Sequence, residues 1–112
     1  GAWMGMSHAL YETTEPYYPV RDHSPKDFAE YLMPGPAELP VIESVVLEVP
    51  SANGPYGVKG VGEMTANSPI PAIVNAIFDA TGVRVDHLPV RPEDILRGLD
   101  ELAARGAAEG VA

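Results

Sequence analysis

The residues best placed to do chemistry lie in one short run, Gly-Val-Lys-Gly-Val-Gly-Glu at positions 57–63. Glycine has no Cβ, so a ligand can lie against the main chain and meet its N–H groups. A carboxylate at the end of such a loop points into the same space. An ordinary glutamate is ionised at neutral pH, and burial can raise its pKa towards a useful value, so Glu63 is a candidate general base. The plainer reading is a glycine-rich bend between two elements with Glu63 solvated. The residues alone leave both readings open. Of two familiar motifs, one fails and the other is weak. A phosphate-binding loop needs Ser or Thr after Gly-Lys, and here Lys59 precedes Gly60 and Val61. A dinucleotide fingerprint needs the order G-x-G-x-x-G, which glycines at 57, 60 and 62 do not keep.

Other reactive side chains offer less. His8, His23 and His87 lack metal-ligand spacing, and no metal site is expected from protein side chains. No serine sits in a G-x-S-x-G frame, which argues against a hydrolase elbow. Asn67 and Ser68 read as helix caps, and the Trp3 and methionine cluster reads as core. Lys59 precedes Glu63 by four residues, but the glycines between them oppose a helical ion pair.

The elements that would hold these residues fit in one domain of 112 residues. Twelve prolines and eleven glycines imply much irregular backbone, while 46% apolar residues argue against disorder. A net charge of −9 and a pI near 4.5 disfavour phosphate-based nucleic-acid binding, and no basic stripe suits an anionic membrane. Cysteine is absent, which removes disulfides, thiolate ligands and a cysteine nucleophile and fits a reducing, cytoplasmic setting. No apolar run is long enough to span a membrane, and no signal peptide is visible. The chain opens at Gly1 rather than Met, as a processed chain or the downstream part of a longer one would.

Periodicity predicts an α+β arrangement with two or three short strands and about three helices. Trp3, Met6 and Leu10 have helical spacing within 2–12, with glycine on several sides. Residues 13–25 read as a loop, and 26–34 as a short strand ending at Pro34. Residues 41–49 give the clearest strand, with Val41, Val45, Leu47 and Val49 on one face. A second helix is expected from Asn67 or Ser68 to a C-cap at Gly82, with Ile70, Ile73, Val74 and Ile77 as its stripe. Residues 83–90 read as a short strand or extended link. A last helix begins near Pro92, with Glu93 and Asp94 at its positive end and Ile95, Leu99 and Leu102 on one side. The domain is taken as 1–104, with 105–112 as a tail.

Five segments, in order, then carry a family resemblance: "WMGMSHALYE", "DFAEYLMPGPAELP", "VLEVPSANGPYGVKGVGE", "PAIVNAIFDATG" and "LPVRPEDIL". Together they resemble the C-terminal part of the molybdenum-binding subunit of the xanthine dehydrogenase and aldehyde oxidase family, the molybdenum hydroxylases. Where many relatives have Gln-Gly in the first helix, this chain has Met4-Gly5. The resemblance implies an incomplete piece of a larger molybdenum-cofactor-binding domain. It matches Glu63 to the active-site glutamate, the base that acts on a molybdenum-bound hydroxyl during substrate hydroxylation. It implies that Gly60, Val61 and Gly62 lie against a molybdenum-pterin cofactor, of the molybdopterin cytosine dinucleotide form common in bacterial relatives. The implied partners are the remainder of the molybdenum-binding subunit, iron–sulfur and FAD subunits, and a small-molecule substrate. A chain this short would be inactive alone. The alternative is a noncatalytic fragment or interaction module that docks on a larger chain.

Overall fold

The computed structural model describes residues 1–16 and 22–109, so part of the expected 13–25 loop and the end of the expected tail lie outside the described residues. Three helices form: α1 at Ala2–Leu10, α2 at Pro69–Thr81 and α3 at Pro92–Glu109. Two 3₁₀ turns, Pro55–Gly57 and Glu63–Ala66, stand between α1 and α2. No strand occurs among the described residues, which corrects the α+β expectation.

Each expected strand fails for its own physical reason. In 26–34 the Asp27 side chain captures the main chain. Its Oδ1 accepts from the N–H groups of Ala29 at 2.9 Å and Glu30 at 3.3 Å. Tyr31 N–H donates to the Asp27 carbonyl at 3.0 Å, which completes a turn. Short polar side chains compete with ladders in this way. In 83–90 the flanking amides are engaged elsewhere: Val83 N–H donates to Thr81 Oγ1 at 3.1 Å, and Val90 N–H to the Ala9 carbonyl at 2.7 Å. The 41–49 segment keeps the alternation of a strand but pairs with nothing among the described residues. Val41 is 94% exposed and Val45 85%.

The helices follow the sequence more closely. Pro69 opens α2, and Gly82 ends it in the left-handed region at φ 73°, its N–H donating to the Phe78 carbonyl at 2.7 Å. Ile70, Ile73, Val74 and Ile77 are half-buried, as one face of a packed helix should be. Ser68 occupies the N-cap position without a side-chain bond. Its backbone is already helical, because the Glu63–Ala66 turn runs almost directly into α2. Pro92 opens α3 with Glu93 and Asp94 in its first turn. The helix runs on to Glu109.

The face of α1 that packs is not the large apolar one. Gly5, Ser7 and Ala9 are buried, while Trp3 and Met4 are each 39% exposed. α1 lies on α2 and on the 63–66 turn. The approach is close because Gly5 permits it. A Cβ there would collide with the Ala66 carbonyl oxygen and stand 2.9 Å from Pro69 Cβ. Gly98 does the same for α3, where a Cβ would collide with the Val83 side chain. The buried apolar core consists of Ala9, Ala66, Val83 and Val90 among the described residues. The radius of gyration is 19.2 Å, against about 13 Å for a compact domain of this length.

Gly5→Ala should therefore destabilise the chain by about 1–3 kcal/mol, since the obstacles are a main-chain oxygen and a proline ring. Gly106→Ala, in α3 with nothing within 4 Å of the added Cβ, should stabilise it by up to about 1 kcal/mol. Urea unfolding followed by far-UV circular dichroism checks both. Effects of the same sign would remove the assigned contact.

Candidate functional site at the glycine loop

The loop before Glu63 is built by its own main chain. Ser51 N–H donates to the Gly57 carbonyl at 3.0 Å, Gly57 N–H to Gly54 at 3.1 Å and Val58 N–H to Pro55 at 3.1 Å. This closure puts Tyr56 and Gly57 in the left-handed region, at φ 56° and 74°. Gly57 is thus required by the chain itself, both by its φ and because a Cβ would stand 2.8 Å from Pro50 Cβ.

Gly60 and Gly62 are different. A Cβ built at either meets nothing within 4 Å, and neither has positive φ. Nothing in this chain's own packing excludes a side chain at these two positions. The glycines of the run therefore divide: Gly57 is set by its own turn, while Gly60 and Gly62 leave the main chain open.

Beside this loop lies a cleft of about 530 Å³. One wall is Leu47 to Pro50, the other Tyr56 to Val61, with Met64 at one end. Gly60 and Val61 line it; Gly62 and Glu63 do not. Glu63 starts the 63–66 turn and is exposed, and no described residue bonds to its carboxylate. Lys59 makes no ion pair with it among the described residues. No described residue encloses the Glu63 side chain.

No histidine lines the glycine-loop cleft. His8 Nε2 is 3.7 Å from Glu12 Oε1, just past the end of α1, and His23 Nε2 is 3.1 Å from Glu30 Oε2. His87 forms a tighter cluster, with Nδ1 3.1 Å from Asp86 Oδ1 and Nε2 2.9 Å from Asp94 Oδ2. The hydrogen bond to Asp86 and then that to Asp94 hold His87 above its ordinary pKa. Burial works to raise the Asp94 pKa, but hydrogen bonds from His87, the Arg91 N–H and Arg97 outweigh it, and the value is lowered. Arg97 Nη2 donates to Asp94 Oδ1 at 2.7 Å. This cluster ties the 83–90 segment to the start of α3 and shares no wall with the glycine-loop cleft. The sequence places Asp94 near the helix end but does not pair it with His87, seven residues away through an irregular link. No group of three or more His, Cys, Asp or Glu among the described residues could hold a metal ion, and no described helix is long and apolar enough to cross a membrane.

A smaller cleft of about 270 Å³ lies between α1 and Met33–Pro34. Trp3, Met4 and Ser7 line it, and the buried Ser7 Oγ has no hydrogen-bond partner among the described residues. The residues expected to be core thus wall an open surface.

Against known proteins, no family model matches the chain. Individual relatives do. The chain is 32% identical over 100 residues to the aldehyde oxidoreductase molybdenum-binding subunit PaoC of Escherichia coli, an alignment covering 88% of this chain and 14% of that one. It is 31% identical over 102 residues to a probable xanthine dehydrogenase subunit of Bacillus subtilis, covering 89% of this chain and 13% of the relative. It is 40% identical over 100 residues, 88% of this chain and 12% of the other, to a protein of Gluconacetobacter polyoxogenes named as a membrane-bound aldehyde dehydrogenase with pyrroloquinoline quinone. These relatives define an oxidoreductase class. Within it, the chain belongs to the xanthine dehydrogenase and aldehyde oxidase family and corresponds to part of the molybdenum-binding subunit. It spans 6–14% of the length of the relatives it matches.

The His87 cluster gives a pH test of the local structure. Its folded pKa lies above the ordinary 6.5, so its contribution to stability is complete below that value and fades as pH rises through the folded pKa. The unfolding free energy should fall modestly across that window, because half of the imidazole is exposed. His87→Asn should flatten the slope. An unchanged slope would mean that another group titrates there.

Proposed function

We propose that this chain is the C-terminal portion of a molybdenum hydroxylase and carries the general base of its active site. The observation that supports this most strongly is the split role of the glycines. Gly57 is needed for folding, while Gly60 and Gly62 leave the main chain bare immediately before Glu63. A bare stretch of backbone that the chain itself does not need fits close approach by a large cofactor. The fit extends to a molybdenum-pterin group, with Gly60, Val61 and Gly62 lying against it through main-chain atoms. When bound, that group supplies the two-electron redox centre of the reaction.

The rest is done by this chain. The 63–66 turn sits on α1 and leads into α2, which fixes the backbone of Glu63 relative to both helices. The Glu63 carboxylate takes a proton from the attacking hydroxyl as it adds to an electron-poor carbon of a small-molecule substrate. Enclosure by the remainder of the subunit removes water from around Glu63. The C–H bond of that carbon breaks as the C–O bond forms; its hydride would pass to the molybdenum-pterin group as two electrons and a proton, and the electrons would pass on to iron–sulfur and FAD partners. The pterin is of the cytosine dinucleotide form, and the assembly is cytoplasmic.

A second reading is favoured by the exposure of Val41, Val45 and Leu47. The chain would be a noncatalytic module that docks on a larger one, with the glycine loop retained as a bend. The two readings separate in the assembled enzyme. Glu63→Gln should lower kcat by about 10²–10⁴-fold with the molybdenum content unchanged. Near-normal turnover would remove Glu63 as the base. Gly60→Ala should leave the stability of the chain within about 0.5 kcal/mol of the parent but reduce the molybdenum bound per assembly. Full metal loading in that variant would leave the loop without a cofactor role.

A further inference from the structure

Residues 41–49 present a physical conflict. They form no helix, turn or strand, and they make no main-chain hydrogen bond to any described residue. Their side chains are nonetheless apolar: Val45, Val46 and Leu47 are each more than four-fifths exposed. The polar backbone is content in water, and the side chains are not. A helix would satisfy the backbone internally, but five of the nine residues are Val or Ile, which favour a pleated strand. Pro40 and Pro50 bracket the segment and cannot donate to a ladder, which confines any pairing to 41–49. That length spans about 30 Å when extended.

We propose that residues 41–49 add as a strand to the edge of a β-sheet in the remainder of the molybdenum-binding subunit, and that this pairing seats the glycine loop against that remainder. The choice of occupant rests on the reading above that this chain assembles with the rest of such a subunit. Three observations favour it. The chain spans 6–14% of its relatives' length, so most of the surface available to cover it lies in the rest of such a subunit. The pattern has one face of Val41, Val45, Leu47 and Val49 broken by Glu43, and another of Ile42, Ser44, Val46 and Glu48, which suits a strand with its first face buried and its second partly wet. A second copy of this chain is a poor occupant. Each copy carries −9, and parallel in-register pairing would set Glu43 on Glu43 and Glu48 on Glu48.

The pairing also reaches the site. Leu47, Val49 and Pro50 form one wall of the cleft whose other wall holds Gly60 and Val61. The Ser51 N–H to Gly57 carbonyl bond joins the end of the segment to the base of the glycine loop. Strand addition supplies affinity through main-chain bonds and register through alternate side chains. Once 41–49 is in register, the loop has little freedom to be elsewhere.

The test is hydrogen–deuterium exchange, with native mass spectrometry and metal analysis, on the full chain co-produced with the remainder of the molybdenum-binding subunit. Amides of 41–49 should exchange at least about 100-fold more slowly in the assembly than in the chain alone. Val45→Pro and Val46→Pro probe the two alternate sets of N–H groups. At least one should weaken assembly by about tenfold or more, and more than Val45→Ala or Val46→Ala does. An assembly that carries molybdenum but leaves 41–49 unprotected would overturn the strand proposal and leave the proposed function standing. Protection of 41–49 in an assembly without molybdenum would support the strand proposal and remove that function. Absence of assembly, or protection through pairing of two copies of this chain, would overturn the proposed occupant and the proposal with it.

Discussion

The contact on which the described structure depends most is the one Gly5 allows. Without a Cβ, α1 comes down onto the Ala66 carbonyl and the Pro69 ring. That contact holds the first helix to a turn far along the chain. Because the turn begins at Glu63 and flows into α2, one missing methyl group fixes the base of the glycine loop. The Val90 N–H bond to the Ala9 carbonyl repeats the arrangement at the other end of α1. Small residues do what large apolar ones do in an ordinary core: they decide where the main chains lie.

The same choice explains what is left outside. A core of Ala9, Ala66, Val83 and Val90 removes little apolar area from water. Trp3, Met4, Phe28 and the valines of 41–49 stay at the surface. Under the proposed function, the missing burial is a property of the assembly. The Ser7 hydroxyl, buried and without a described partner, belongs to the same account. A buried polar group left unpaired costs free energy that a neighbour could recover.

How legible all this is in the sequence depends on how local each cause is. Helix α2 can be read from Pro69, the Ile70–Ile77 stripe and Gly82, because caps, periodicity and a left-handed end are decided within a few residues. Helix α3 is similarly readable from Pro92, Glu93 and Asp94. The strand at 41–49 misleads for a nonlocal reason. Its alternation reports what the side chains would do in a sheet, not whether a sheet is present. At 26–34 the hidden cause is local: Asp27 bonds its own main chain two and three residues on, and that outweighs a few β-favouring side chains. The packed face of α1 escapes a reading based on Trp3, Met6 and Leu10, because glycine marks the side where a neighbour comes closest.

The candidate site shows why a motif should be divided before it is interpreted. "GVKGVGE" looks like one signal, three glycines and an acid. The structure separates it. Gly57 serves a left-handed turn closed by Ser51 and Pro55, and any chain with that turn would need it. Gly60 and Gly62 have no positive φ and no neighbour within 4 Å, although Gly62 stands at the N-cap of the 63–66 turn. Glycine in an exposed loop costs conformational entropy on folding, so its presence without a local use asks for a use elsewhere. The carboxylate that follows is equally unexplained by this chain, being exposed and unbonded among the described residues. Two bare backbone positions and one unengaged acid side by side are what a surface should look like when its other half lies on a different part of the protein. The family relationship is to molybdenum-binding subunits much longer than this chain. Under the proposed function, the bare stretch at 60–62 is where the two halves meet.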